Sequence, residues 1–269
     1  MPTRFDRDTA VTKDGAGRYL ARVDEGWWIT QGPNGGYLAA ILLRAVSEEV
    51  GGGRTPLSLT VQYLRPPAVG DLVVEVTIER EGRSVANVSL RAFQNDALVA
   101  FGQAALSTPR PAGIEFDDLE MPDLPPPGEC PLWPPPGVPS VVPINDRYET
   151  RWAIGSPPGE GATEALAGGW IRTEDARHVD DLLVAALADA WVPPVFSKFE
   201  MAAVAVPTVE LTVYFRGGLP RPEGEYVLAR FRSAVAAGGF VEEDGELWSE
   251  DGVLLAQSRQ ISAVVGVAG

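Results

Sequence analysis

The chain has 269 residues, 45% of them hydrophobic, enough to enclose a substantial core in one large domain or two of ordinary size. Its formal net charge of -15 argues against nucleic acid and anionic membrane surfaces as partners. The single cysteine, Cys130, excludes an internal disulfide or a thiolate metal cluster, and the single histidine, His178, excludes a multi-histidine metal site.

The opening, MPTRFDRDTAVTKDG, is polar and charged, unlike a secretory signal. No apolar run approaches the roughly 20 residues of a membrane span. Both features predict a soluble, cytoplasmic protein. AGRYLARVDEGWWI then reads as a strand candidate. GPNGGYLAAILLRAVSEE reads as a helix that Asn34 can cap, apolar nearly all the way round from Tyr37 to Val46, and therefore enclosed by other elements. GPNGG lacks the lysine and serine or threonine of a phosphate-binding P-loop, so it is read as the turn into this helix, with glycine allowing close backbone approach. From Pro56 to Ser107, β-rich runs are separated by turn signals at Pro66-Pro67, Gly70-Asp71, Glu81-Gly82 and Asn95-Asp96.

The proline-dense stretch PDLPPPGECPLWPPPGVPS can form neither helix nor central strand and reads as a semi-rigid linker. Beyond it, NDRYETRWAIG and GGWIRTEDAR are strand candidates. VDDLLVAALADAW reads as a helix capped by Asp180 or Asp181 and stopped by Pro193. Strands follow to the end. SLTVQYLRPP in the first half answers to ELTVYFRGGLP in the second, and NDALVAFGQAALS answers to EDGVLLAQSRQIS. The repeat unit is far longer than the roughly 20–50 residues of a solenoid repeat, so a whole domain is duplicated. The expected class is α+β: two tandem repeats, each a long central helix wrapped by a curved antiparallel sheet. Residues 1–112 would form the first domain, 113–140 the linker, and 141–269 the second.

This unit resembles the hot-dog fold, and the duplication resembles the double hot-dog acyl-CoA thioesterase II family. The likeness is carried by NGGYLAAIL, LTVQYLRPPAVGDLVVEV and GRSVANVSLRAFQNDALVAFGQAAL in the first half, and by LADAW, PTVELTVYFR and DGVLLAQSRQ in the second. It spans nearly the whole chain apart from the linker. The resemblance implies an active site in which an Asp, a Thr and a Gln hold and activate a water. These fall on Asp189, Thr208 and Gln260. It further implies an acyl-CoA substrate, no cofactor or metal, and a homo-oligomer.

The residues themselves can be weighed without the family. Asp189 closes an apolar helix, at the end where its own helix dipole disfavours a carboxylate. A solvated acid is the ordinary reading. Ala185 and Ala186 on the same face, and the apolar surroundings, instead suggest a buried acid whose pKa is raised toward that of a general base. In LLAQSRQIS, the face with Leu254, Ala256, Ser258 and Gln260 is smaller and less charged than the other, which aims the Gln260 amide inward rather than at solvent. Thr208 alternates in phase with Glu210 and Thr212, which places it on the polar face unless the strand end beside Pro207 breaks phase. His178 could pair with an acid, as in some hot-dog dehydratases, but about three turns of helix separate it from Asp189, which favours a capping or surface role.

One working site per chain is expected, with second-half side chains and first-half lining, and with backbone N–H groups at a helix start available to an oxyanion. Arg65, Arg216 and Arg221 are candidate partners for the CoA diphosphate. Two rival functions share this scaffold: a non-catalytic module binding acyl-CoA or an acyl carrier, and an enoyl-CoA hydratase or dehydratase.

Overall fold

The computed structural model describes residues 2–110, 113–138, 142–199 and 204–266. The first repeat runs α1 (Arg4–Asp8), β1 (Val11–Lys13), β2 (Arg18–Val23), α2 (Gly35–Val50), β3 (Thr55–Tyr63), β4 (Gly70–Glu81), β5 (Val85–Gln94) and β6 (Ala97–Ser107). The second runs β7 (Tyr148–Gly155), β8 (Ala165–Thr173), α3 (Asp181–Leu187), β9 (Thr208–Phe215), β10 (Val227–Ser233), β11 (Phe240–Ser249) and β12 (Leu254–Ala263).

These strands form one antiparallel sheet in the order β1-β2-β4-β5-β6-β3-β9-β12-β11-β10-β8-β7. The order is a palindrome about the β3–β9 junction, where Leu59 faces Val213 and Val61 faces Leu211. The duplication seen in the sequence is therefore a pseudo-two-fold in the sheet. Alternation sets the inner face: in β5, Ala86, Val88, Leu90 and Ala92 are buried while their neighbours are not. The Asn95-Asp96 turn joins β5 to β6 with both residues in the left-handed region, at φ 49° and 61°, as a tight hairpin between right-twisted strands requires.

Asn34 caps α2: its side-chain oxygen accepts the Tyr37 N–H at 2.9 Å. The helix then runs 16 residues, with every residue from Gly36 to Leu43 buried. Its all-round apolar character matches its place, packed between the strands of its own repeat and α3.

The second repeat departs from expectation. Asp180 caps α3 through the Leu183 N–H, but the helix spans only 7 residues and ends before Asp189. The long central helix expected in each repeat is present in the first and replaced by a short one in the second. The helix ends several residues before Pro193, whose missing N–H leaves the Asp189 carbonyl without a helical donor. That carbonyl instead accepts from Asn34 Nδ2 at 2.6 Å. The chain tightens into a last turn in which the Asp189 and Ala190 N–H groups reach back to Ala186 and Leu187.

The proline-dense segment forms no central strand, as its composition requires, but it is docked against the second repeat. Leu132–Trp133 pairs with the outer edge of β7, Cys130 is buried, and Trp170 Nε1 donates to the Pro125 carbonyl at 2.9 Å. Of the segment boundaries expected at 112/113 and 140/141, residues 112, 140 and 141 lie outside the described residues. Among the described residues, no helix is long and apolar enough to cross a membrane.

Candidate active site

The two helices pack side by side across the repeats, with the start of α2 against the end of α3. Gly36 sits so close to α3 that a Cβ there would lie 2.2 Å from the Ala186 carbonyl oxygen. Only glycine permits this approach. The small residues Ala185 and Ala186 do leave room on α3, and the N-terminus of α2 takes it. Asp189 thereby arrives at the positive end of the other helix, where an anion is stabilised, although it stands at the negative end of its own.

The Asp189 carboxylate is held from the first repeat. Its Oδ2 accepts the Gly36 N–H at 3.0 Å and Asn34 Nδ2 at 3.0 Å. A Cβ on Gly35 would come within 2.8 Å of the same oxygen, so two consecutive glycines form the cradle. Tyr63 braces that cradle by donating its hydroxyl to the Gly35 carbonyl at 2.7 Å. Asn34 divides its amide between two tasks: its oxygen caps α2, and its nitrogen binds Asp189.

Burial of the Asp189 carboxyl raises its pKa to about 6; hydrogen bonds from Gly36, Gln260, Gly35 and Asn34 act in the opposite direction and limit the rise. A carboxylate in this range is ionised at neutral pH and remains basic enough to take a proton.

Gln260 and Thr208 belong to the same site. Gln260 is 5% exposed and lies on the inward face predicted for it. Its amide lies near enough to Asp189 to hold the carboxyl's pKa down. Thr208 Oγ1 donates to Gln260 Oε1 at 3.1 Å. Simple alternation had placed Thr208 on the polar face, and the structure corrects this. The β9–β12 register slips between Thr208 and Glu210: Thr208 faces Ser262 and Glu210 faces Ile261, so the bulge at Val209 turns Thr208 toward the site. Thr208 and Gln260 are hydrogen-bonded, and the Gln260 amide is close enough to Asp189 to act on its carboxyl.

Glu243 joins them without having been singled out in the sequence. It stands directly across from Gln260 in the β11–β12 register, and its Oε1 accepts from Gln260 Nε2 at 2.6 Å. Burial, with the nearby Asp189 charge second, lifts its pKa to about 8. Alternation in FVEEDGELWS was the available signal, because it sets Glu243 in phase with the buried Val241, Gly245 and Leu247.

His178 takes no part. It is exposed on a short strand, its Nδ1 against the Arg221 carbonyl and its Nε2 3.4 Å from Glu223. Arg221 is engaged by Glu225 and Asp251, and Arg216 by Gln257. Arg65 is exposed just past the end of β3. Among the described residues, no cluster of side chains has the makings of a metal site.

Residues 127–264 match the profile described as the acyl-CoA thioesterase C-terminal domain, and residues 24–107 match the corresponding N-terminal domain. Among solved structures, the chain is similar to a conserved hot-dog protein of unknown function from Alicyclobacillus acidocaldarius, with 29% identity over 100% of both chains and a TM-score of 0.85. It is similar to a candidate thioesterase II from Thermobifida fusca, with 27% identity over 97% of both chains and a TM-score of 0.83. An acyl-CoA thioesterase II from Mycobacterium marinum shares the fold at 19% identity, with 99% of both chains covered and a TM-score of 0.76. No curated protein sequence matches the chain.

Proposed function

The chain belongs to the acyl-CoA thioesterase family, and from that premise we propose that it hydrolyses an acyl-CoA thioester to a free acid and CoA. Asp189 is the general base. It takes a proton from a water that Thr208 and Gln260 orient against the thioester carbonyl. The carbonyl carbon gains the hydroxyl, the C–S bond breaks, and the CoA thiolate leaves and takes up a proton. The positive end of α2 stabilises the ionised base: its first-turn N–H groups are committed to the Asp189 carboxylate and to Asn34. No cofactor and no covalent intermediate are required.

The observation that carries this reading is the Asp189 carboxyl itself. It is buried, raised to about 6, held by Asn34 and Gly36, and close to the Gln260 amide that takes the Thr208 hydroxyl. A carboxyl kept only for stability would gain nothing from such an environment. The surface position of His178 removes the histidine–acid pairing on which the dehydratase reading depended. The site sits in the proposed second domain, residues 141–269, and borrows Asn34, Gly35 and Gly36 from the first, residues 1–112. That dependence makes the two repeats one functional unit. We extend the proposal to a cytoplasmic homo-oligomer, on the family resemblance.

The test is free-thiol release from acyl-CoA esters of graded chain length. Turnover of at least one ester is expected. Thermal stabilisation by these esters with no thiol released from any of them would favour the non-catalytic binding module.

A further inference from the structure

We propose that Glu243 is a positioning residue, present to orient the Gln260 amide; this rests on the hydrolytic reading above. The two ends of a primary amide are nearly the same size, so only the chemistry of its partners fixes which end points where. A threonine hydroxyl can donate or accept, and cannot decide the matter alone. In the structure Glu243 supplies the acceptor: it takes Nε2 at 2.6 Å, through its carbonyl oxygen when the carboxyl is protonated, which leaves Gln260 Oε1 for the Thr208 hydroxyl at 3.1 Å. With its hydrogen committed to Gln260, the Thr208 oxygen keeps lone pairs to accept from a water. The remaining amide hydrogen of Gln260 serves the Asp189 side.

The repeat supplies a control built into the molecule. The two caps, Asn34 and Asp180, correspond, so Asp189 corresponds to Leu43. In the sheet, Pro56 pairs with Leu106 as Thr208 pairs with Ser262, Leu59 pairs with Ala104 as Leu211 pairs with Gln260, and Ala104 pairs with Val88 as Gln260 pairs with Glu243. The first repeat therefore carries Leu43, Pro56, Ala104 and Val88 where the second carries Asp189, Thr208, Gln260 and Glu243. All four first-repeat residues are buried. The fold is thus satisfied by an apolar residue at the 243 position.

An acid there is costly. Glu243 is 8% exposed, no Arg or Lys pairs with it among the described residues, and the charged groups around it are Asp189, Glu242 and Asp244, all acids. It accompanies the other three polar residues of the site and touches one of them directly.

The experiment uses the full chain, an acyl-CoA ester and thiol release, with the melting temperature of every variant measured beside it. Glu243→Met removes the acceptor and keeps the volume. We expect kcat to fall about 10–100-fold, in the range that misplacement of a catalytic group produces, with KM within about threefold and melting temperature no lower than wild type. Glu243→Gln restores an accepting oxygen and is expected to recover kcat to within about threefold of wild type. In a Gln260→Ala background, Glu243→Met is expected to add little further loss, because both changes act through one amide. If the Met variant does not fold, Glu243→Val, the residue of the first repeat, replaces it.

Wild-type kcat in a folded Met or Val variant would overturn the proposal. So would a folded Gln variant as impaired as the Met variant, or fully additive losses with Gln260→Ala. Absence of thiol release from wild type would instead defeat the hydrolytic reading and this inference with it. Wild-type turnover, lost in Asp189→Asn but kept in Glu243→Met, would defeat this inference alone.

Discussion

Asp189→Asn is expected to lower kcat for acyl-CoA hydrolysis by about 10²–10⁴-fold, the usual worth of a positioned general base, with the fold intact. Asparagine has the shape of aspartate, and its amide oxygen can still accept the Gly36 N–H that Asp189 Oδ2 accepts at 3.0 Å. What it lacks is basicity. KM should change little, because the substituted group acts on the water and not on the acyl chain or CoA. The melting temperature should not fall, because a buried ionisable group has been replaced by a neutral one. Steady-state thiol release together with a thermal melt checks both halves of this expectation. Loss of activity accompanied by loss of fold would leave Asp189 as a structural residue only.

The second large effect is on stability, and its sign is set by the same two acids. Burial raises Asp189 from 3.8 to about 6 and Glu243 from 4.5 to about 8. The folded protein therefore keeps protons that the unfolded chain releases. Their contribution is fully present below about pH 4 and is lost as pH rises through 6 and then 8. Glu149 works in the opposite sense and at lower pH. Its pKa is depressed to about 2, against a desolvation cost, by Tyr226, Arg172 and Arg151, so its contribution is present at neutral pH and is lost only in acid.

Glu243→Gln should therefore melt above wild type at pH 9, with the gap closing toward pH 5. At ~1.4 kcal/mol per pKa unit and ~2–4 °C per kcal/mol for a chain of this size, the gap at pH 9 is on the order of 10 °C. Thermal melts of the two proteins across this range check it. A gap that is constant with pH would contradict the assigned burial of an ionisable Glu243.

Much of this architecture was legible in the residues. Tyr37 to Val46 is apolar nearly all the way round, apart from Arg44, and α2 is packed against both the sheet and α3. Gln260 could be aimed inward because a strand's period of two leaves only one face for it. What was hidden depends on contacts between distant parts of the chain. Asn34 and Asp189 are 155 residues apart, and nothing local announces that one helix start will close over the other helix end. Pro193 was read as the stop of α3, yet its missing N–H acts four residues earlier, by freeing the Asp189 carbonyl for Asn34. The Val209 bulge shifts Thr208 by one residue, and alternation carries no record of a bulge. Glu243 was within reach of the same alternation that placed Gln260, but its position reads as a surface strand acid until its cross-strand neighbour is known.

The arrangement gives the two repeats unequal tasks. The first contributes a helix start, two glycines and a cap whose nitrogen holds the base. The second contributes the base, the amide and the hydroxyl. A carboxylate placed between the ends of two helices is disfavoured by one and stabilised by the other, and the balance with desolvation leaves it near neutrality.

The dependence of kcat/KM for thiol release on pH tests this account most directly. Water activation by the Asp189 carboxylate predicts a rate that falls with unit slope as pH drops below about 6, because the protonated acid cannot accept from the water. An acyl-CoA turnover that is unchanged between pH 5 and pH 8, or that keeps the same acid limb in Asp189→Asn, would contradict it.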